Sequence, residues 1–164
     1  MSTLQARVIT VSDEVASGSD EDRGGLLAVD LLTELGADTT RVVVGDAAAP
    51  IASAVLDAVT DGVRVIVTCG GTGIGPDDRT SDVVALLLTY QVPGIAEEIR
   101  RRGQSHSAPA LVSRGIAGVI RRDGSPAAFV VCVPGSRGGV RDALDVVGPL
   151  LGYIVEQLDG AGHV

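Results

Sequence analysis

The strict alternation of strand-like and helix-like segments in the first half of the chain most constrains its fold. Three apolar runs have the composition of buried strands. The segments that follow them carry Leu, Val and Ala at helical spacing. Because a strand–helix–strand order requires a crossover between parallel strands, this pattern predicts a parallel sheet covered by helices. The strands are predicted at 6–12, 40–44 and 63–69, and the helices at 25–36, 51–62 and 80–90.

The second half of the chain changes character. A short predicted helix at 94–103 is followed by two apolar runs within 115–133 that are joined by Arg-Asp-Gly-Ser-Pro, which is typical of a hairpin. A glycine-rich stretch then opens one or two helices over 134–158. We therefore expect a single domain over residues 1–164, with a three-layer α/β fold. Its mostly parallel sheet would carry a late antiparallel hairpin, with helices on both faces.

Charge and hydropathy limit the classes of protein to consider. The formal net charge of −8 argues against nucleic-acid binding through a basic surface. The longest apolar runs are far below the roughly 18 residues of a membrane-spanning helix, and the N-terminus lacks the pattern of an export signal. We therefore expect a cytoplasmic protein with neither nucleic acid nor membrane as a partner. An anionic small molecule is still compatible, because backbone amides and a metal ion can hold it locally.

The basic residues exclude several mechanisms. All thirteen are arginines, and without lysine a Walker A loop, a Schiff base and a lysyl-AMP intermediate are excluded. Histidine occurs only at His106 and His163. A Ser-His-Asp triad would have to use His106, which has no nucleophile motif nearby. Cys69 and Cys132 form no zinc signature, and we interpret them as small buried residues.

Four informative loops fall at the carboxyl ends of predicted strands. Ligands of open α/β sheets bind beyond these ends. If the strands are neighbours, the loops should converge into one pocket. The loops read SDEVASGSDED (12–22), GDAAA (45–49), GGTGIGPDDRT (70–80) and PGSRGG (134–139).

The loop after the third predicted strand has the chemistry of a phosphate and magnesium site. The glycines within 70–73 allow the backbone to approach a ligand, and their N–H groups favour an anion together with a helix that starts near Thr80. Thr80 or Ser81 could cap that helix. Asp77 and Asp78 would repel the anion unless a cation lay between them. Mg²⁺ is commonly held by carboxylates and phosphates together.

Each of these features also has a purely structural interpretation. Glycine-rich turns are common after strands, and paired aspartates before a helix often serve its dipole. Asp46 could be a simple turn residue, and the acidic residues at 20–22 could form a solvated loop. The functional interpretation is favoured because all four loops are predicted at the same edge of one sheet.

Five ordered blocks of the chain resemble the MogA/MoaB family of molybdenum-cofactor biosynthesis proteins, which includes the gephyrin G domain. The resemblance covers nearly the whole chain. It implies an α/β fold assembled as a homotrimer, and binding of molybdopterin, the pterin dithiolene that carries molybdenum. The blocks are VITVSDEVASGSDEDRGG, VTCGGTGIGPDDRTSDVV, VPGIAEEIR, LVSRGIAGVIR and VPGSRGGVRDAL.

The resemblance also implies an activity and its residues. Active family members are nucleotidyltransferases that use Mg²⁺ to transfer AMP from ATP to molybdopterin, giving adenylyl-molybdopterin and pyrophosphate. We therefore expect a molybdopterin adenylyltransferase with contacts to other proteins of its pathway. The acidic positions near Mg²⁺ and the phosphates correspond to Asp46 and Asp78. The implied substrate-binding residues are Ser12, Asp13, Asp22, Gly70, Gly71, Thr72, Gly73, Thr80, Pro134, Gly135 and Ser136.

The sequence departs from the family pattern beside Asp78. The common pattern reads roughly Arg-Asp-x-Thr-Pro-Glu, whereas residues 77–82 read Asp-Asp-Arg-Thr-Ser-Asp. Asp77 is therefore either a bystander or a member of the metal site. Two alternatives stay open: a protein of the same fold that binds molybdopterin or a precursor without turnover, and a CinA-like nucleotide pyrophosphatase. The carboxylates at Asp46 and Asp78 favour turnover, and Thr72 favours the MogA/MoaB type over CinA-type loops, which usually read Gly-Gly-Leu-Gly.

Overall fold

The computed structural model describes residues 2–162, so His163 lies outside the described residues. No helix in that range is both long enough and apolar enough to cross a membrane. The strands are β1 (Gln5–Val11), β2 (Asp38–Val44), β3 (Val65–Cys69), β4 (Tyr90–Gln91), β5 (Ala117–Ile120) and β6 (Ala128–Val133). The α helices are α1 (Asp13–Ser17), α2 (Arg23–Glu34), α3 (Ala48–Thr60), α4 (Thr80–Leu87), α5 (Pro93–Gln104), α6 (Arg137–Val147) and α7 (Leu151–Leu158). Short 3₁₀ helices cover Ala108–Val112 and Gly148–Leu150.

The six strands form one mixed sheet in the order β2-β1-β3-β6-β5-β4. Strands β2, β1, β3 and β6 are parallel to one another, and β5 pairs antiparallel with both β6 and β4. The register places Val8 between Arg41 of β2 and Val67 of β3. This architecture confirms the predicted α/β fold with a mostly parallel sheet and a late hairpin.

Alternate side chains of the central strands enter two apolar layers, which explains the near-continuous apolar runs. Val8, Val67 and Val131 pack on the face covered by α2, α5, α6 and α7. Ile9 and Ile66 pack on the opposite face against α3 and α4. Each fully buried Val or Ile contributes about 1.5–3 kcal/mol, so a core with little aromatic content suffices. Helices therefore cover both faces, as predicted.

Two elements differ from the sequence prediction. Helix α1 lies within the acidic stretch that we expected to be a loop, because the Ser12 hydroxyl accepts from the Val15 N–H at 3.2 Å and caps one turn. Helix α4 ends at Leu87, not at residue 90. Beyond it, the Thr89 N–H donates to the Val119 carbonyl at 2.8 Å and leads into the edge strand β4. Helix α1 is too short to show a helical periodicity. The end of α4 depends on pairing with a strand that is distant in sequence.

Candidate functional site

The four predicted loops do meet at one edge of the sheet. Strands β1, β2, β3 and β6 are parallel, so their carboxyl ends lie side by side. The Ser12 N–H donates to the Val44 carbonyl at 2.9 Å, and the Gly70 N–H donates to the Val133 carbonyl at 2.9 Å. Neighbouring loops are therefore joined through the backbone from their first residues.

The loops line two adjoining cavities and not the single pocket predicted, and the 45–49 loop lines neither of them. The first cavity, of about 480 Å³, is lined by Ser12, the 20–24 segment and Cys69. The second, of about 410 Å³, is lined by the 71–73 segment and Asp78 among others. Gly135 and Ser136 line both. A Cβ at Gly70 would overlap the Val11 carbonyl oxygen, and one at Gly135 would lie 3.5 Å from the Gly70 Cα. These close backbone contacts divide the space between the loops.

The glycine loop takes a backbone shape that requires glycine. Gly70 and Gly71 have φ angles of +107° and +70°, which L side chains rarely adopt. A Cβ at Gly71 would also overlap the Thr80 hydroxyl. The Thr80 N–H donates to the Gly71 carbonyl at 3.1 Å, which holds the start of the loop against the first turn of α4. Thr72 is buried and lines the second cavity.

The first turn of α4 carries hydroxyls without partners. The proposed capping role of Thr80 or Ser81 was wrong, because the N-cap is Arg79 and both hydroxyl residues lie inside the helix. Both side chains are buried, and among residues 2–162 neither hydroxyl finds a hydrogen-bond partner. Each unpaired buried hydroxyl costs about 1–3 kcal/mol. Thr80 contacts the glycine loop through Gly71, but it lies outside the linings of both cavities.

Asp78 folds back across the loop that carries it. Its carboxylate accepts from the Gly75 N–H at 2.9 Å, and its own N–H donates to the Gly75 carbonyl at 3.1 Å. A Cβ at Gly73 would lie 2.6 Å from Asp78 Oδ2. The glycines at 73 and 75 thus make room for this half-buried carboxylate on the wall of the second cavity.

Asp46 forms a reciprocal pair with Asp13, and both residues lie outside the linings of the two cavities. The Asp46 N–H donates to Asp13 Oδ1 at 2.8 Å, and the Asp13 N–H donates to Asp46 Oδ2 at 3.3 Å. Burial raises the pKa of Asp46, and the negative charges of Asp13, Glu14 and Asp77 raise it further against the opposing effect of the Asp13 N–H. A cation beside Asp46 would relieve this crowding of negative charge.

The 77–79 segment connects Asp46 to the glycine loop. Arg79 donates to the Asp46 carbonyl at 3.3 Å and lies 3.6 Å from Asp77 Oδ1. Within residues 2–162, no group of three or more His, Cys, Asp or Glu side chains is placed to hold a metal. Mg²⁺ commonly uses one or two carboxylates and takes its other ligands from water and substrate phosphates. Asp78 on the wall of the second cavity and Asp46 beside Arg79 are the two carboxylates that the resemblance assigns to such a partial site.

Asp22 has a clear structural task. It is the N-cap of α2, and its carboxylate accepts from the Gly25 N–H at 2.9 Å, the Thr10 hydroxyl at 2.7 Å and Arg41 Nε at 2.7 Å. The residue is 8% exposed and lies on the wall of the first cavity. These three donors satisfy much of its acceptor capacity, so Asp22 fixes the start of α2 whether or not it also contacts a ligand.

The Pro134–Ser136 segment lies at the junction of the two cavities. Ser136 is the N-cap of α6, and its hydroxyl accepts from the Gly139 N–H at 3.1 Å. A Cβ at Gly24 would overlap the Gly135 carbonyl oxygen. The N-terminal ends of α2 and α6 are therefore packed closely around Gly135, where helix dipoles favour an anion.

Sequence reasoning missed one wall of the second cavity. The end of α5 and the following 3₁₀ helix supply this wall, and Asp142 of α6 adjoins it. His106 Nε2 lies 3.1 Å from Asp142 Oδ2, and Asp142 is 14% exposed. The Ser105 hydroxyl approaches His106 Nδ1 at 3.4 Å but lies 2.7 Å from the Arg102 carbonyl, to which it donates. This serine therefore serves the end of α5, and no sequence signal pointed to Asp142.

Sequence reasoning also missed Arg114, although it lies in the block LVSRGIAGVIR. Its side chain donates to the Gly73 and Asp78 carbonyls of the glycine loop at 2.7 and 2.8 Å. A lone arginine between an apolar segment and a buried strand was the signal available.

The two cysteines are free and buried, as interpreted from the sequence. Burial raises the pKa of Cys132 to about 12. Burial, together with the charge of Asp22, also raises the pKa of Cys69. Neither thiol is therefore available as a thiolate near neutral pH.

Comparison with known proteins gives consistent matches along the chain. Residues 7–153 match the family model described as a probable molybdopterin binding domain. The chain is 40% identical over 159 residues to a molybdenum cofactor biosynthesis bifunctional protein of Synechococcus elongatus, covering 96% of this chain and 48% of that protein. The chain thus spans about half the length of the first curated relatives it matches.

Two further proteins show matches over most of both partners. A molybdopterin adenylyltransferase of Pyrococcus furiosus is 33% identical over 146 residues, which cover 88% of this chain and 85% of that protein. The solved structure of the molybdopterin biosynthesis Mog protein from Mycobacterium ulcerans aligns with a TM-score of 0.87 at 35% identity. That alignment covers 95% of this chain and 99% of the other.

Proposed function

Because the chain belongs to the MogA/MoaB family of molybdenum-cofactor biosynthesis proteins, with its molybdopterin-binding domain, we propose that it transfers AMP from ATP to molybdopterin. The products are adenylyl-molybdopterin and pyrophosphate. The relative in Pyrococcus furiosus is named for this activity. The proposal uses only the half of the bifunctional relatives that aligns with this chain.

The observation that carries the proposal is the pair of cavities that share Gly135 and Ser136. The product of the reaction consists of two ring-bearing halves joined through phosphates. Two cavities with a common wall at the N-terminus of α6 suit such a molecule, since the phosphates would lie where the helix dipole favours negative charge. A simple binding protein for one pterin would need only one of them.

The chemistry requires positioning and neutralisation of charge more than covalent help. A terminal phosphate oxygen of molybdopterin attacks the α-phosphorus of ATP, and the new P–O bond replaces the bond to the leaving pyrophosphate, which departs with the electron pair. Asp46 and Asp78 would hold Mg²⁺, which supplies positive charge to the phosphates when bound. The amides of the 71–73 segment and the start of α6 would orient the anions, whereas the Gly70 N–H is already bonded to the Val133 carbonyl. Direct transfer fits a chain that has no lysine to carry AMP.

One assay separates this proposal from its alternatives. The protein is incubated with MgATP and molybdopterin, and separately with ADP-ribose, and the products are identified by mass spectrometry. Adenylyl-molybdopterin supports the proposal. Molybdopterin that stays bound and unmodified supports a binding protein, and AMP released from ADP-ribose supports a CinA-like pyrophosphatase; either result without adenylyl transfer contradicts the proposal.

We further propose that the chain forms one domain, assembles as a homotrimer and contacts other proteins of its pathway. The single domain follows from the length of the chain, and the homotrimer and its partners follow from the family resemblance.

A further inference from the structure

Arg114 connects two parts of the glycine loop and the first turn of α4, all of them far from it in sequence. Its guanidinium donates from Nε to the Gly73 carbonyl at 2.7 Å and from Nη2 to the Asp78 carbonyl at 2.8 Å. The same group forms a two-pronged ion pair with Asp82, with distances of 2.9 and 3.2 Å. One side chain thus fixes the middle of the loop, its end and the first turn of α4.

The backbone of Arg114 adds a fourth attachment. Its N–H donates to the Thr72 carbonyl at 2.6 Å. Arg100 of α5 holds the same segment from the other side, donating to the Gly115 carbonyl at 2.7 Å. A Cβ at Gly115 would lie 2.6 Å from the Cys132 carbonyl oxygen, so this segment is pressed against β6. Arg114 therefore starts from an anchored position.

The glycine loop needs such an external support. Glycines lose more conformational freedom on folding than any other residue, and Gly70, Gly71, Gly73 and Gly75 fall within six positions. The Asp78 carboxylate is held by the Gly75 N–H, which belongs to the same loop. Any movement of the loop would therefore carry the carboxylate with it.

We propose that Arg114 is a positioning residue that fixes the glycine loop and, through it, the Asp78 carboxylate. Arg114 lies outside the linings of both cavities as residues 2–162 define them, so it acts through the loop and not on a ligand. This role rests on the proposed function insofar as Asp78 serves the reaction.

The guanidinium group is specific to this task. Its planar fork serves two carbonyls and a carboxylate at once, whereas the ammonium of lysine is a point charge on a flexible stem. The Arg114 hydrogen bonds lower the pKa of Asp82, which favours the charged form of the pair. Arg114→Lys should therefore retain the charge but lose the simultaneous contacts with Gly73 and Asp78.

The test compares Arg114→Ala and Arg114→Lys with a matched control, Arg101→Ala. Arg101 also forms a two-pronged pair, with Glu98 at 2.8 and 2.5 Å, but lies on the exposed side of α5. For Arg114→Ala we expect kcat to fall by about 10- to 100-fold, as for a misplaced catalytic group. The KM for molybdopterin should change less than kcat, because the loop that binds substrate loosens but no direct ligand contact is removed. The Mg²⁺ concentration for half-maximal activity should rise.

Two readouts separate positioning from general stability. Added guanidinium ion should restore part of the activity of Arg114→Ala and leave Arg101→Ala unchanged, and Arg114→Lys should be intermediate. Amide hydrogen exchange over residues 71–79 should increase in Arg114→Ala and not in the control. No substitution at position 114 removes the backbone N–H that donates to Thr72, so the comparison tests the side chain. If Arg114→Ala does not fold, Arg114→Lys carries the comparison.

The outcomes keep the two proposals apart. Equal kcat, equal Mg²⁺ requirement or equal exchange in Arg114→Ala and Arg101→Ala would overturn the role of Arg114. If the wild-type protein makes no adenylyl-molybdopterin, the proposed function fails, and exchange over 71–79 alone decides whether Arg114 fixes the loop.

Discussion

At the scale of single residues, the acidic side chains in the candidate site have different tasks. Asp22 is enclosed by three donors and caps α2. Asp78 is held by a loop amide on a cavity wall. Asp46 faces the like charges of Asp13, Glu14 and Asp77, and its pKa is raised. Asp46 is thus a carboxylate whose ionised form is unfavourable in the folded chain. Such groups are good candidates for a function such as cation binding.

The raised pKa of Asp46 predicts how activity depends on pH. A carboxyl with a raised pKa binds its proton at a higher pH than usual. Mg²⁺-dependent activity should therefore begin to fall at a higher pH than it would with an aspartate of ordinary pKa. Glu14→Gln removes one negative charge near Asp46 and keeps an acceptor for the Ser12 hydroxyl. The acid limb of the pH–rate profile should therefore move to lower pH. Glu34→Gln, an exposed change on α2, is the control.

A shift of the acid limb to higher pH in Glu14→Gln would contradict the electrostatic account of Asp46. The raised pKa also affects the free energy of unfolding. The contribution of Asp46 to stability is fully present below the pKa of the unfolded chain and is lost as pH rises through the pKa of the folded chain. Ionised Asp46 thus opposes folding near neutral pH.

At the scale of elements, the order and type of the long strands and helices followed from apolar periodicity. The strands β1, β2 and β3 and the helices α2 and α3 lie within a few residues of their predicted positions. The one-turn helix α1 and the two-residue strand β4 did not follow, because a side-chain cap at Ser12 and pairing with β5 decide them. The site shows the same limit: glycines and aspartates in the loops could be recognised, whereas Arg114 and Asp142 reach the site only through the tertiary fold.

The packing of α2 against the Pro134–Ser136 segment gives a test of the site's framework. A Cβ at Gly24 would overlap the Gly135 carbonyl oxygen and lie 2.9 Å from its carbon. Gly24→Ala should therefore lower the free energy of unfolding by about 1–3 kcal/mol, as overpacking does. Gly138→Ala is the matched control, since nothing lies within 4 Å of its Cβ position. Denaturant unfolding measures both, and equal stabilities would show that α2 can shift away from Gly135 at no cost.

At the scale of the whole molecule, the exposed surface is compatible with assembly into an oligomer. Several large apolar side chains are exposed in the single chain, among them Ile74 at 74% and Leu86 at 89%. Exposed apolar side chains are common on monomers too, so they are compatible with a trimer without requiring one. The net charge of −8 favours solubility of the separate chains and makes association sensitive to ionic strength.

The proposed homotrimer has a simple test. Light scattering across micromolar concentrations should return a mass about three times that of one 16.6 kDa chain. A monomer mass over the whole range would remove the trimer from the account and leave the site within one chain unaffected.

The most direct test of the account is the transfer of phosphorus label from α-labelled ATP to molybdopterin by four proteins in one experiment. The wild type and the control Asp30→Asn, which changes an exposed carboxylate on α2, should form labelled adenylyl-molybdopterin at equal rates. Asp46→Asn and Asp78→Asn keep the size of the side chain but lose the charge for Mg²⁺, and should be slower by at least about 100-fold. All four proteins should unfold cooperatively, and Asp46→Asn should be at least as stable as the wild type, because it removes a charge that opposes folding. Wild-type rates in both variants, or no labelled product from the wild type, would contradict the account.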